Sequence, residues 1–320
     1  MRESQVIERL RRIATHKAAR GLRDDAALLE GLVITHDSIA EGVHFFPFDP
    51  PASVGWKLVA VNLSDLAAKG ATPVAALLSL TLSGDEEWDL HFLSGVEAAC
   101  ESYELALIGG DTISLPPDAR RVLGMTAIGR AGERTPGRDG GEAGDRLWLV
   151  GAVGDAAAGL ARLRDDAKAT GPLVDIYRRP VPLLAAGHAL APHAHAMMDV
   201  SDGLLLDARR MGEASGCAVH IDLDALPLSD AFAARHGRGL GARLFAATGG
   251  DDYALLAALP ADLAKETLCL PRGATIRPIG TLEAGRPALR LSSGGRPVEV
   301  PETLGYEHFG HPAAPVADRL

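Results

Sequence analysis

The chain has 320 residues, of which 47% are hydrophobic and 23% charged, and it carries a formal net charge of −10. This composition suits a soluble globular protein and excludes global disorder; the length allows either two domains sharing an interface or one large α/β domain. The acidic balance argues against a general binder of nucleic-acid backbones, whose affinity comes from Lys and Arg displacing counterions, so an anionic ligand would need metal ions or local arginines.

In chain order, Met1 to Thr15 alternates charged and apolar residues as an amphipathic helix does and lacks the apolar core of a signal peptide. No apolar run reaches the roughly eighteen residues that span a bilayer, and a cytoplasmic location is the default expectation. Leu32 to Thr35 reads as a buried strand delivering His36 and Asp37 at its end. Ser53 to Ala68 has helical spacing after a Pro-Pro start and places Asp65 near the helix end. Val74 to Leu82 reads as a strand, Glu86 to Tyr103 as a helix, Leu105 to Ile108 as a strand stopping at Gly109-Gly110-Asp111, and Val122 to Ile128 as another strand.

Between Arg130 and Asp145 the sequence turns polar and Gly-rich, which sets a domain boundary near residue 137. Beyond it, Leu147 to Val150 is a strand, a helix starts at Asp155, and Met197 to Val200 is a strand that meets Ser201-Asp202-Gly203 before another helix. Cys217 to Ile221, Tyr253 to Ala257 and Thr275 to Ile279 read as strands, with helices around Leu244 and Leu263. The Pro- and Ala-rich residues 310–320 are expected to form a flexible tail. Cys100, Cys217 and Cys269 are far apart and form no CxxC pair, so they are expected to be buried free thiols. Each half carries a Gly-Gly-Asp segment, at Gly109 to Asp111 and Gly249 to Asp251, a hint of related halves.

The chemistry lies in the aspartates: Asp24-Asp25, Asp37, Asp65, Asp111, Asp199 with Asp202, and Asp251-Asp252. A carboxylate following an apolar strand is costly to bury unless paired or bound to metal, and magnesium, a hard cation shared between carboxylates and nucleotide phosphates, is the natural partner. Taken singly, each is also an ordinary turn or cap residue; Asp65, inside a helix, fits that reading worst, and Asp85 and Asp155 fit it best. Gly109-Gly110 serves a turn or a close approach to phosphate equally well. The chain has no GxxxxGK[ST] segment, no kinase HRD or DFG set and no GxSxG elbow. An aspartate-based phosphoryl-transfer enzyme, in which positioning and metal electrostatics supply the catalysis, matches these features.

The ordered set Asp24-Asp25-Ala26-Ala27-Leu28-Leu29, Thr35-His36-Asp37, Glu41-Gly42-Val43-His44-Phe45, Val61 to Ala68 (VNLSDLAA), Gly109-Gly110-Asp111-Thr112, Asp199-Val200-Ser201-Asp202-Gly203 and Gly305 to Phe309 resembles the thiamine-monophosphate kinase family over nearly the whole chain. The resemblance implies a two-domain α/β (α+β) fold of the aminoimidazole-ribonucleotide-synthetase-like type. Residues 1–137 would bind metal and ATP and form a β-barrel across a homodimer, residues 138–309 would be the C-terminal domain, and the active sites would lie near the subunit interface. It further implies ATP, several Mg2+ ions and direct in-line phosphorylation of thiamine monophosphate to thiamine diphosphate, the last step of thiamine diphosphate biosynthesis. Carried over by position, Asp25, Thr35, Asp37, Asp65, Asp111, Asp199 and Asp202 correspond to metal ligands, and Gly110, Asp111, Arg138 and Ser201 to nucleotide contacts. His44, Asp251 and Tyr306 correspond to acceptor-side residues, with a loop histidine, a turn aspartate and a packed aromatic as their plainer readings. Arg23, His36 and Asp251 depart from the family's frequent Gly, Thr and Glu.

Other members of the superfamily are alternatives. Selenophosphate synthetase would carry a reactive Cys or selenocysteine near the N-terminus, and no Cys precedes Cys100; a hydrogenase-maturation relative would end in a reactive Cys, and this sequence ends Asp318-Arg319-Leu320. A nucleotide- or metal-binding regulatory protein without turnover is the alternative from another class.

Overall fold

The computed structural model describes residues 3–116 and 119–307. After helix α1 (Glu3–Arg11), a five-stranded sheet is built from β1 (Ala27–Leu29), β2 (Leu32–Ala40), β3 (Thr72–Leu82), β4 (Ala106–Ser114) and β5 (Val122–Arg130), in the order β1-β2-β5-β3-β4. Only the β3–β4 pair is parallel, and parallel neighbours need a crossover. Helix α3 (Glu86–Ser102) makes it, starting where the Asp85 carboxylate accepts the Trp88 N–H at 3.1 Å.

Helix α2 (Pro51–Ala68) is the spine of the molecule. Pro51 stands at its first position, where the missing N–H costs nothing, and from Val54 to Ala68 every residue except Trp56 is buried. A largely apolar, buried helix needs cover on all sides: β2, β5 and α3 supply it on the N-terminal side, and the second sheet together with the helix Leu184–Leu190 supplies the rest.

That second sheet has seven strands, β6 (Arg146–Val150), β7 (Ala196–Val200), β8 (Ala218–Asp222), β9 (Ala254–Leu259), β10 (Ile276–Glu283), β11 (Leu289–Ser293) and β12 (Arg296–Val298), ordered β12-β11-β8-β10-β6-β9-β7. Only β8–β11 is parallel. Helices α4 (Asp155–Asp165), α5 (Pro172–Arg178), α6 (Leu184–Leu190), α7 (Leu204–Ser215), α8 (Asp230–His236) and α9 (Leu240–Thr248) complete the unit. Ala67 and Ala68 of α2 share a core with Trp148, Met197 and Leu255, so the two units are packed through the C-terminal turns of α2. Gly187 of α6 makes that approach possible, because a Cβ there would stand 2.0 Å from the Ala67 carbonyl oxygen.

Several expectations need correction. Asp37 is not at a strand end: β2 runs on to Ala40 because β5 pairs with it from Leu32 to Ala40. Likewise β4 runs through Gly109-Gly110-Asp111, paired with β3 up to Ser114. The second Gly-Gly-Asp segment instead joins α9 to β9, so the two segments do not occupy equivalent places. The helix expected around Leu263 is only a 3-10 turn at Lys265–Thr267, in the segment between Pro260 and Pro271. Asp155 does not cap α4 but accepts the Ser229 hydroxyl at 2.6 Å. All three cysteines are free, but only Cys217 is buried; Cys100 is half-buried and Cys269 exposed. Among the described residues no helix is long and apolar enough to cross a membrane. The expected tail, with His308 and Phe309 before it, lies outside the described residues.

Candidate active site

Three carboxylates from distant parts of the sequence meet where the two units join. Asp25 precedes β1, Asp65 is in the last turn of α2, Asp199 is on β7, and one oxygen from each lies within 4.8 Å of the others. Thr35 on β2 donates its hydroxyl to Asp65 Oδ2 in a short hydrogen bond. Ser64, adjacent on α2, donates to Asp199 Oδ2 at 2.6 Å. Asp37 is held alongside by its backbone N–H, which donates to Asn62 Oδ1 at 3.0 Å, while the Asn62 amide donates to the Leu58 carbonyl at 2.9 Å.

Gathering so many acids has an electrostatic consequence. Burial, and next the charges of Asp37, Asp199 and Asp25, push the Asp65 pKa well above the carboxylate range. Burial and then the Asp25 charge push Asp199 up to about 8. Asp37 is raised to about 6 by burial, with Asp25 and Asp202 adding to it. Asp25 goes the other way: burial raises it, but Arg138 and Lys69 together outweigh burial and hold it well below the usual range. Lys69, fully buried at the end of α2, lies 2.5 Å from Asp24 Oδ1 and 2.7 Å from Asp25 Oδ2, and donates to the Met197 carbonyl at 3.0 Å. Arg138 Nε donates to Asp25 Oδ1 at 2.8 Å. Asp25 Oδ2 lies 2.7 Å from the Lys69 ammonium and, among the described residues, has no partner in hydrogen-bonding geometry. Three converging carboxylate oxygens, two of them on residues whose ionisation burial resists, fit a hard divalent cation such as Mg2+.

The other expected residues are placed differently. Asp202 follows β7 and pairs with Arg210. Asp207, at the start of α7, accepts the Asp202 and Gly203 backbone N–H groups at 3.1 and 3.2 Å and is pushed up to about 7, chiefly by burial and then by Asp202. The Ser201 carbonyl accepts the Asp251 N–H at 2.7 Å, and the Tyr306 N–H donates to the Asp202 carbonyl at 2.8 Å. The residue 305–307 segment is thereby brought to the same turn. Gly110 and Asp111 stand apart from the trio, on β4, which is exposed along its whole length. Gly110 has a local reason to be glycine, since a Cβ would lie 1.9 Å from the Leu78 carbonyl oxygen. His44 Nδ1 accepts the Ala40 N–H at 3.0 Å. Of the departures, His36 bonds Thr126 on the exposed sheet face and stays out of the acidic group, and Arg23 ends the 3-10 segment before Asp24. Asp252 is separated from Asp251: its two oxygens accept the Gly154 N–H at 3.0 and 2.9 Å, which anchors the loop to the start of α4.

Sequence reasoning missed Ser64, Lys69, Lys57 and Asp207. A buried lysine has no local signature, although Lys57 and Lys69, flanking a largely apolar helical run whose polar residues are Asn62, Ser64 and Asp65, are the signal that was there to be used.

Comparison with known proteins follows the same division of the chain. The family models for AIR synthase related protein match as an N-terminal domain at residues 23–131 and a C-terminal domain at residues 142–291. The thiamine-monophosphate kinase of Salmonella typhimurium is 38% identical over 306 residues, covering 91% of this chain and 92% of that protein. This chain belongs to the thiamine-monophosphate kinase family. The family's Aquifex aeolicus member is 34% identical, over 89% of this chain and 92% of its own length. Among solved structures, AaThiL complexed with AMPPCP and TMP superposes with a TM-score of 0.83 at 31% identity, over 96% of this chain and 97% of that one. The thiamine-monophosphate kinase of Stenotrophomonas maltophilia gives 0.72 at 36% identity, over 92% and 96%. The hydrogenase maturation protein HypE, at 21% identity and a TM-score of 0.70, shares the family's fold.

Proposed function

We propose that this enzyme transfers the γ-phosphoryl group of ATP to thiamine monophosphate, forming thiamine diphosphate and ADP, the last step of thiamine diphosphate biosynthesis. The observation that carries the reading is the convergence of Asp25, Asp65 and Asp199 between the two units of a thiamine-monophosphate kinase family chain.

Asp25, Asp65 and Asp199, with Thr35, Asp37, Asp111 and Asp202 in support, would hold Mg2+. Bound there, the metal offsets negative charge on the phosphates. Arg138, beside Asp25, offers a planar donor fork to phosphate oxygens, with Gly110, Asp111 and Ser201 as the other nucleotide contacts, and His44, Asp251 and Tyr306 face the acceptor. The acceptor phosphate is already an ionised nucleophile at neutral pH, so it needs positioning and relief of anion repulsion more than a strong base. One of its oxygens attacks the γ-phosphorus, the bond from that phosphorus to the β,γ-bridging oxygen breaks, and ADP leaves in line. His44 is not needed as a phosphoryl carrier, and its Nδ1 is occupied by the Ala40 N–H. Net retention of configuration at the phosphorus of chirally labelled ATP would overturn direct transfer.

The reading includes a homodimer and a cytoplasmic location, where ATP and Mg2+ are plentiful. The dimer is supported by β4, an edge strand with unpaired backbone groups and exposed Leu107, Ile108 and Ile113, next to exposed Leu77 of β3. Monomers rarely leave such an edge bare.

Incubation with ATP, Mg2+ and thiamine monophosphate, followed by chromatography of the thiamine phosphates, tests the function. Thiamine diphosphate should form and should vanish in excess EDTA; no product, or faster turnover of free thiamine, would reject the reading.

A further inference from the structure

Lys57 is buried on α2, two turns before Ser64, with 2% of its surface exposed. Its ammonium donates to Asp251 Oδ2 at 2.9 Å and to the His44 carbonyl at 3.1 Å, and it lies 4.1 Å from the centre of the Tyr177 ring. The Tyr177 hydroxyl donates to the same His44 carbonyl at 3.2 Å, and the Tyr253 hydroxyl donates to the other Asp251 oxygen at 2.9 Å. One cation thus ties a loop of the N-terminal unit to a loop and a helix of the C-terminal unit. Asp251 needs such a hold: its φ of 66°, like the 51° of Tyr253, lies in the left-handed region that costs non-glycine residues energy. A buried ammonium is itself expensive unless fully paired, and a core position on an apolar helix would be filled more cheaply by Leu or Met. The pairing of Lys57 with two groups of the acceptor side points to a task there.

We propose that Lys57 is a positioning residue of the acceptor subsite. It acts through Asp251, fixing that carboxylate and the His44 loop in one preformed arrangement that receives thiamine monophosphate, and it leaves nucleotide binding to the aspartate group. The inference rests on the function proposed above, with His44 and Asp251 on the acceptor side.

The test compares wild type with K57M, D251N and the K57M/D251N double variant, measuring kcat, KM for thiamine monophosphate and for ATP, calorimetric binding of thiamine monophosphate, and thermal stability. K57M and D251N should each raise KM and Kd for thiamine monophosphate roughly tenfold or more and leave KM for ATP within about twofold. The double variant should lie within about threefold of D251N, because the two side chains act as one unit. Should K57M fail to fold, the double variant, which strands no charge, is compared with D251N directly. An unchanged KM for thiamine monophosphate in folded K57M, an equal rise in both KM values, or a double variant far worse than D251N would overturn the positioning role while leaving the kinase intact. A wild-type protein that makes no thiamine diphosphate would overturn the function itself and this inference with it.

Discussion

The Ser64 hydroxyl of α2 donates to Asp199 Oδ2 of β7 at 2.6 Å, a hydrogen bond between the spine of one unit and the edge strand of the other. It stabilises the ionised form of Asp199 against burial and the Asp25 charge, so it prepares that oxygen for a cation. Ser64→Ala should raise the Mg2+ concentration for half-maximal rate roughly tenfold, as loss of a partner to a metal ligand commonly does, with KM for thiamine monophosphate at saturating metal nearly unchanged. Titration of activity against Mg2+ checks it; an unaltered metal requirement would mean that Asp199 is oriented by its strand alone.

The acidic group makes stability depend on pH in an unusual direction. Folding raises Asp37 to about 6, Asp207 to about 7 and Asp199 to about 8, in each case chiefly through burial, against roughly 3.9 for a free aspartate. Between these limits the folded chain holds more protons than the unfolded one, so the contribution present below about pH 4 is lost as pH rises through 6 to 8. At the proposed site Mg2+ would bind the deprotonated carboxylates, so its stabilising effect should grow over the same range. Thermal melts near pH 6 and pH 8, in EDTA and in Mg2+, measure this, and a magnesium gain that shrinks with rising pH would contradict the site.

Lys69→Met should destabilise the fold by about 3 kcal/mol, the low end for breaking a buried ion pair, because Arg20 and Arg138 remain beside Asp24 and Asp25. Urea denaturation gives the value. A change under about 0.5 kcal/mol would show that the arginines suffice, since that is the scale of a neutral surface substitution.

Asp65→Asn and Asp111→Asn should each lower kcat roughly a hundredfold or more at saturating Mg2+. They differ in setting: Asp65 is in the trio, whereas Asp111 is on the exposed β4 edge. If a second copy covers that edge, Leu107→Lys should shift the protein from twice 33.4 kDa to that mass in light scattering and lower activity with it. A wild-type protein that is active at 33.4 kDa would separate Asp111 from any subunit interface.

Much of this was legible in the residues. Helix α2 is written between Pro51 and Ala68 as an apolar run too continuous for a surface helix, and α3 follows a capping Asp85; both depend on interactions within a few residues. The order of the aspartates carried the family resemblance. Other features depended on partners distant in sequence. Whether β2 stops at Thr35 or continues through Asp37 to Ala40 was decided by β5, some ninety residues away, whose backbone supplied the hydrogen bonds. Helices α5, α6 and α8 and strands β11 and β12 are short pieces with weak local patterns, held by the larger unit around them. Asp251 and Asp252 are neighbours in the chain, yet one faces Lys57 and the other the start of α4, because the backbone turns through the left-handed region between α9 and β9. The sequence by itself thus determined which residues carry charge and which local segments coil. Only the tertiary structure decided which carboxylates share a site and which lysines neutralise them, because Coulomb interactions and burial depend on distance in space, to which separation along the chain is no guide.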